Sequence, residues 1–174
     1  MSYVRKKRVL FICSGNYYRS RLAEILFNLE ADAAGLAWVA ESRGLLQASG
    51  LKGLSPHAAA YLEKAKLDPP PGDPRDPLAI DVEDLTDADL VVAMCRQEHQ
   101  SMIEQKFLAL AKALHKTGRL RYWNIYDIPQ RPRAIVRLLG GAHRAPSQPS
   151  DSGTEHIALG IRDLVRELSV PTPV

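Results

Sequence analysis

The chain has 174 residues, 45% hydrophobic and 25% charged, enough apolar content for one cored domain over 1–174, which excludes wholesale disorder. Its longest apolar runs, such as Val9-Leu10-Phe11-Ile12-Cys13, fall far short of the roughly 18 residues of a membrane span. The balance of 23 basic against 20 acidic side chains gives +3, too mild to indicate nucleic acid.

The basic group Arg5-Lys6-Lys7-Arg8 precedes too short an apolar stretch for a secretory leader, and two cysteines, Cys13 and Cys95, cannot build a disulfide framework. We therefore expect a cytoplasmic protein without nucleic-acid or membrane partners. Val9 to Ile12, bounded by charge before and Ser-Gly-Asn after, predicts a short strand buried on both faces. From Ser20 to Asp32, the residues Leu22, Ala23, Leu26, Phe27 and Leu29 recur at helical spacing. Leu36 to Ala40 reads as a second strand. Ser55 then caps a helix that starts at Pro56 and continues through Ala58, Ala59, Leu62 and Ala65. The run Pro69-Pro70-Pro71-Gly72-Asp73-Pro74 stops it.

Asp76 to Asp89 holds six carboxylates without the spacing of a calcium loop, and reads as a solvated, helix-capping stretch. Ala88 to Met94 predicts a third strand, Gln97 to His115 a long amphipathic helix, and Leu120 to Tyr126 a fourth strand. Gly140 to Gly153 reads as a mobile loop, Glu155 to Leu168 as a closing helix, and Pro171-Thr172-Pro173 as a frayed tail. Strands alternating with helices predict an α/β fold with a parallel sheet, whose ligands bind beyond the carboxyl ends of the strands.

The first strand ends at Cys13, and Cys13-Ser14-Gly15-Asn16-Tyr17-Tyr18-Arg19-Ser20 leads straight into a helix. A turn of small residues can aim successive N–H groups inward as an anion nest, with the helix N-terminus behind it. Cys13 at its mouth would have its thiolate stabilised. The planar fork of Arg19 suits two oxygens of a tetrahedral oxyanion, and Ser20 can donate to the thiolate. Gly15 and Asn16 tolerate the positive φ that a tight cradle requires. The product is a nucleophilic sulfur beneath a phosphate-shaped cradle, suited to phosphoryl transfer through a phosphocysteine without a metal. Phosphate or sulfate is expected in the loop. The five histidines show no metal spacing, and no cofactor is expected; His57 reads as a cap or core residue and Cys95 as a buried structural thiol.

The run VLFICSGNYYRSRLAE, Val9 to Glu24, resembles the low-molecular-weight protein tyrosine phosphatases, whose loop C-x-G-N-x-x-R-S opens a helix. The likeness extends more weakly through Glu41-Ser42-Arg43-Gly44, Pro56-His57 and Asp87 to Met94, and fades after Gln130. It implies a three-layer fold, a four-stranded parallel sheet flanked by helices. It also implies that Cys13 attacks phosphorus and Arg19 grips the phosphoryl group. Ser14, Gly15, Asn16, Tyr17, Tyr18 and Ser20 then complete the substrate-binding loop. An aspartate on a late loop would protonate the leaving phenol and then activate water.

That acid is Asp127 in one reading, with Ile128 in place of the family's proline. In another, Ile128-Pro129 matches Ile-Pro-Asp-Pro, and Gln130, which cannot give up a proton, takes the position. Asp127 is favoured because it lies just past the fourth strand, on the binding edge of the sheet. Tyr18 stands where the family has a second loop cysteine. Arg21 replaces a proline, adding positive potential or facing solvent. Tyr17 and Tyr18 supply an aromatic wall, or one of them packs as core.

The implied function is hydrolysis of phosphotyrosine-type aryl phosphomonoesters, on a phosphorylated protein or a small aryl phosphate. Arsenate reduction on the same fold needs more thiols than Cys95 supplies. A non-catalytic phosphate or phosphopeptide binder becomes the leading alternative if Gln130 is the acid's counterpart.

Overall fold

The computed structural model describes residues 5–127 and 152–170. Lys7–Cys13 forms β1, with Val9, Phe11 and Cys13 buried on one face and Leu10 and Ile12 on the other. Cover on both faces is why this strand reads as a continuous apolar run instead of an alternation. The chain continues through α1 (Arg19–Ala33), β2 (Trp38–Gly44), α2 (Pro56–Ala65), α3 (Val82–Asp87) and β3 (Leu90–Ala93). Then follow α4 (Arg96–Lys116), β4 (Leu120–Tyr122) and α5 (Ser152–Ser169).

The four strands form one sheet in the order β2-β1-β3-β4, and every pair is parallel. Residues of α1, α2 and α5 cover the Val9/Phe11 face, where Phe11 meets the rings of Phe27 and Trp123 at 5.9 and 5.8 Å. Leu85 of α3 and Ile103, Ala111 and Leu114 of α4 cover the Leu10/Ile12 face. The result is the expected three-layer α/β fold. From β1 the chain turns to β2 on one side and later reaches β3 on the other, so a crevice opens at the carboxyl ends between β1 and β3. Cys13 ends β1 at that crevice.

The elements differ from the expectation where strands are polar or short. β2 spans Trp38–Gly44 rather than Leu36 to Ala40, with Cys13 paired to Gly44. Its second half, Glu41-Ser42-Arg43-Gly44, carries no apolar side chain and so escapes a search for apolar runs. β3 and β4 are shorter than expected. Beyond Tyr122 the backbone leaves the ladder and is tied instead by Trp123 N–H to the Ala93 carbonyl and Ile125 N–H to the Met94 carbonyl, both at 2.8 Å.

Within the acidic stretch, Asp81 and Asp84 form a reciprocal capping box, the helix-capping role expected of it, which starts the short helix α3. The stretch is less solvated than expected, since Asp84 is buried against Arg43 at 2.9 Å. The expected long helix is α4, but Phe107 departs from helical geometry (φ −138°, ψ 40°) and divides it in two. Gln130, positions 140–151 of the expected loop and the tail after Val170 lie outside the described residues; Ser152 and Gly153 begin α5. Among the described residues, no helix is long and apolar enough to cross a membrane.

Candidate active site

The loop between β1 and α1 is held from outside by its carbonyls. Cys13 and Ser14 accept from Leu45 and Leu46 N–H at 2.9 and 2.8 Å, and Tyr17 accepts from Ser55 N–H at 3.0 Å. The N–H groups of Ser14, Gly15 and Tyr17 find no protein acceptor among the described residues. This is the arrangement of an anion nest, carbonyls out and amides left over, at the start of a helix.

Asn16 sits at φ 50°, the left-handed conformation that a cradle needs and that Asn tolerates. Gly15 does not use such a φ, contrary to expectation, and a Cβ there would meet only Ala48 at 3.9 Å. The glycine the loop does require is Gly44. A Cβ on Gly44 would stand 3.0 Å from Asn16 N, Gly15 C and Ser14 O, all backbone atoms.

Cys13 is 3% exposed, and its Sγ accepts from Asn16 N–H at 3.2 Å. Ser20 Oγ lies 3.0 Å from the same sulfur. The direction of that bond follows from the next one. Asn16 Oδ1 accepts from Leu78 N–H at 3.0 Å, which fixes the amide, so Asn16 Nδ2 must donate to Ser20 Oγ, also at 3.0 Å. The Ser20 hydrogen is then free to point at the sulfur.

Asn16 Nδ2 also reaches Ser42 Oγ at 2.8 Å, and Oδ1 takes a second bond from Arg75 Nη1 at 3.0 Å. Ser42 donates to Glu24, which pairs with Arg75 at 2.8 Å and Arg21 at 2.7 Å; Arg21 also pairs with Asp73. Burial, with the charges of Arg21 and Arg43 and against the pull of Glu24, holds Arg75 below its ordinary range. Arg21 therefore neither faces solvent nor opens into the pocket. It is fully buried behind the loop, with its Nε unpartnered among the described residues.

In front of the loop lies Arg19, 2% exposed. Its Nη1 donates to the Ile125 carbonyl at 2.9 Å and its Nη2 to Glu98 Oε2 at 2.8 Å, and Asp127 Oδ2 stands 3.4 Å from Nη2. Burial works against the guanidinium charge. The Glu98 hydrogen bond and the charges of Cys13 and Asp127 outweigh it and raise the Arg19 pKa. Asp127 thus reaches the guanidinium whose charge Cys13 also favours, and its N–H donates to Glu98 Oε1 at 3.2 Å.

His99 also reaches the loop, fully buried. Its Nδ1 accepts from Cys95 N–H at 3.0 Å, so the neutral ring carries its hydrogen on Nε2, which faces Ser14 Oγ at 3.2 Å. Burial and the charge of Arg19, partly offset by Glu98, lower its pKa to about 4.

Of the tyrosine pair, Tyr18 packs in the core and only Tyr17 stays half-buried at the loop. His57 is neither cap nor core: Ser55 caps α2, and the exposed His57 ring leans on Tyr18 at 5.9 Å. Cys95 is a buried free thiol. Among the described residues, no three His, Cys, Asp or Glu gather to hold a metal ion.

Sequence reasoning assigned no role to Ser42, Glu24, Arg75, Glu98 or His99. Ser42 and Glu24 lay inside the motifs that carried the resemblance, and that was the available signal.

The family model for low molecular weight phosphotyrosine protein phosphatases matches residues 8–126. No curated protein is matched by the sequence. Among solved structures, a low molecular weight protein tyrosine phosphatase from T. tengcongensis is 26% identical, covering 92% of this chain and 99% of its own, with a TM-score of 0.64. The YwlE arginine phosphatase from Geobacillus stearothermophilus is 22% identical, over 93% and 92%, with a TM-score of 0.63. A low molecular weight phosphotyrosine phosphatase from Vibrio cholerae O395 is 20% identical, over 94% and 99%, with a TM-score of 0.64. With the loop, the sheet order and more than half of the chain in agreement, the protein belongs to the low-molecular-weight phosphotyrosine protein phosphatases, a family of cysteine-dependent phosphatases.

Proposed function

We propose that this protein hydrolyses phosphotyrosine-type aryl phosphomonoesters in the cytoplasm, through a phosphocysteine on Cys13, with Arg19 as the phosphoryl grip and Asp127 as the general acid. The observation that carries the reading is convergence: the Asp127 carboxylate lies 3.4 Å from the Arg19 guanidinium, whose charge is favoured by Cys13, and the Cys13 sulfur accepts from the Asn16 amide. The substrate phosphate enters the nest of loop amides. Sγ attacks phosphorus, forming the S–P bond as the P–O bond to the phenol breaks, and Asp127 gives its proton to the departing oxygen. In the second half, the Asp127 carboxylate takes a proton from water, whose oxygen displaces Cys13 and releases inorganic phosphate. Ser14, Gly15 and Tyr17 bind the phosphate with their free N–H groups, Asn16 holds the loop and the sulfur, and Ser20 donates to the sulfur as it leaves.

The arginine phosphatase among the similar structures makes a phosphorylated guanidinium the competing substrate. A cationic leaving group calls for a carboxylate to spare at the rim, but both oxygens of Glu98 are engaged and Asp127 is paired with Arg19 and assigned to the acid role. Half-buried Tyr17 and exposed Tyr126 offer ring surface instead. A phosphoprotein or a small aryl phosphate is the substrate this favours.

The test compares wild type on a phosphotyrosyl peptide and a phosphoarginyl peptide of the same sequence, and on aryl phosphates with a good and a poor leaving group. Preference for the phosphotyrosyl peptide, with trapping of a phosphocysteine, is expected. Preference for the phosphoarginyl peptide would overturn the substrate class.

A further inference from the structure

The first turn of α4 places one carboxylate between the two halves of the site. We propose that Glu98 is a positioning residue: its two oxygens hold Arg19 of the cradle and the backbone of Asp127 at a set separation, so that phosphoryl grip and acid meet the substrate together. The inference rests on the phosphatase reading above. Oε2 accepts from Arg19 Nη2 at 2.8 Å and Oε1 from Asp127 N–H at 3.2 Å, so one side chain bonds two loops that lie more than a hundred residues apart in sequence.

Glu98 is well placed to act as a fixed reference. It sits at a helix start, where the backbone dipole favours a carboxylate. The residue after it, His99, is locked by Cys95 N–H on one ring nitrogen and Ser14 Oγ on the other. Burial pushes the Glu98 carboxyl up, but the hydrogen bond and charge of Arg19 outweigh it and keep the group ionised.

The two partners differ in what else secures them. The 123–127 segment has left the β4 ladder and is tied at Ile125, whose N–H meets the Met94 carbonyl and whose carbonyl meets Arg19. Asp127 is two residues beyond that tie. Without Glu98, Arg19 stays folded back on Ile125, but its Nη2 is drawn to the Asp127 carboxylate already 3.4 Å away. The acid is pulled into the cradle and away from the leaving group. Misplacement of this kind, by about 1 Å, costs on the order of 10²-fold in rate.

Two variants separate positioning from mere support. Glu98→Ala removes both acceptors. Glu98→Gln keeps the shape but offers one oxygen, so only one of the two bonds survives. Each is compared with wild type in kcat/KM on a good and a poor aryl leaving group, in inorganic phosphate affinity by calorimetry, in hydrogen exchange of the Asp127 amide, and in thermal melting.

The expected result for Glu98→Ala is a loss of about 10²-fold on the poor leaving group against a few-fold on the good one. Weaker phosphate binding and faster exchange at Asp127 accompany it, with β1 amides unchanged, and Glu98→Gln falls between. Equal losses on both leaving groups with unchanged Asp127 exchange would overturn the proposal. If wild type binds phosphate but turns over neither aryl phosphate, the phosphatase reading fails on its own. Phosphate affinity and Asp127 exchange then still decide: if both are unchanged in Glu98→Ala, the positioning role falls, and if both change it stands.

Discussion

Cys13 lies at the floor of the cradle, 3% exposed, and the loop around it is fixed from behind by Asn16, Ser42, Glu24 and Arg75. Asp127 at the rim leaves 55% of its side chain in solvent, joined to the floor by a 3.4 Å ion pair with Arg19 and a hydrogen bond from its N–H to Glu98. The floor is a buried network in which Asn16 spends every donor and acceptor of its side chain, and such shielded bonds reinforce one another. Ion pairs at an exposed rim are screened and contribute little to stability. In-line attack on phosphorus and proton transfer to the departing oxygen both depend on placement, and the two proposed groups obtain it differently, Cys13 from the buried network and Asp127 from its ties to Arg19 and Glu98.

The largest effect should come from the floor. Cys13→Ser is expected to abolish turnover while the fold and inorganic phosphate binding survive, read by steady-state rates, circular dichroism and calorimetry. Residual activity above a few per cent would remove Cys13 as nucleophile. Breaking the rim should be selective instead of total. Asp127→Asn is expected to cost about 10²- to 10⁴-fold on poor leaving groups, far less on good ones, with an unchanged melting temperature. Equal loss on both would place the acid elsewhere.

Arg19→Lys tests the junction between the two regions. A point charge in place of the fork should lower kcat/KM by about 10²- to 10³-fold, and phosphate affinity with it. The buried floor also predicts a pH signature. His99 is held at about pKa 4 when folded and returns to its ordinary value of 6.5 when unfolded. The unfolded chain then binds the extra proton first, so stability is full above the unfolded value and declines as pH falls toward 4. The decline is about 3 kcal/mol, to be read from denaturant midpoints against His99→Gln, which should lack it. The smallest effect is expected from Gly44→Ala, where a Cβ meets three backbone atoms of the loop at 3.0 Å. About 1–3 kcal/mol of stability should be lost, with weaker phosphate binding.

The floor's own residues were legible because they are contiguous: Cys13 to Ser20 carry the proposed nucleophile, the turn and the helix start in one stretch of sequence. The parallel sheet was legible from apolar runs, since strands buried on both faces advertise themselves. What sequence could not show was the support behind the loop. Glu24, Ser42, Arg75 and Leu78 come from a helix, a polar strand half and the segment after the proline run, and only the fold brings them to Asn16. Ser42 in particular lies in the half of β2 that no hydrophobic pattern marks. Arg21 looked like a surface choice between solvent and pocket, because burial of an arginine depends on partners as distant as Asp73. At the front, Glu98 and His99 read as ordinary polar residues of an amphipathic helix until the helix start was set against the crevice.

The position of β1 has a further consequence for how the enzyme is made. β1 comes early in the chain yet stands between two neighbours in the sheet, with Val9 beside Ala40 on one side and Leu90 on the other. Other partners of the loop also lie far along the chain, Leu78 for Asn16 and Ile125 for Arg19. Closing such long segments is entropically uphill until the contacts they enable have formed, and topologies of this kind fold slowly. During synthesis Cys13, the proposed nucleophile, therefore exists well before its cradle does, as an ordinary thiol on an unfolded strand. Chemistry begins only when the strands from the second half of the chain have docked, so the onset of phosphatase activity reports the completion of folding.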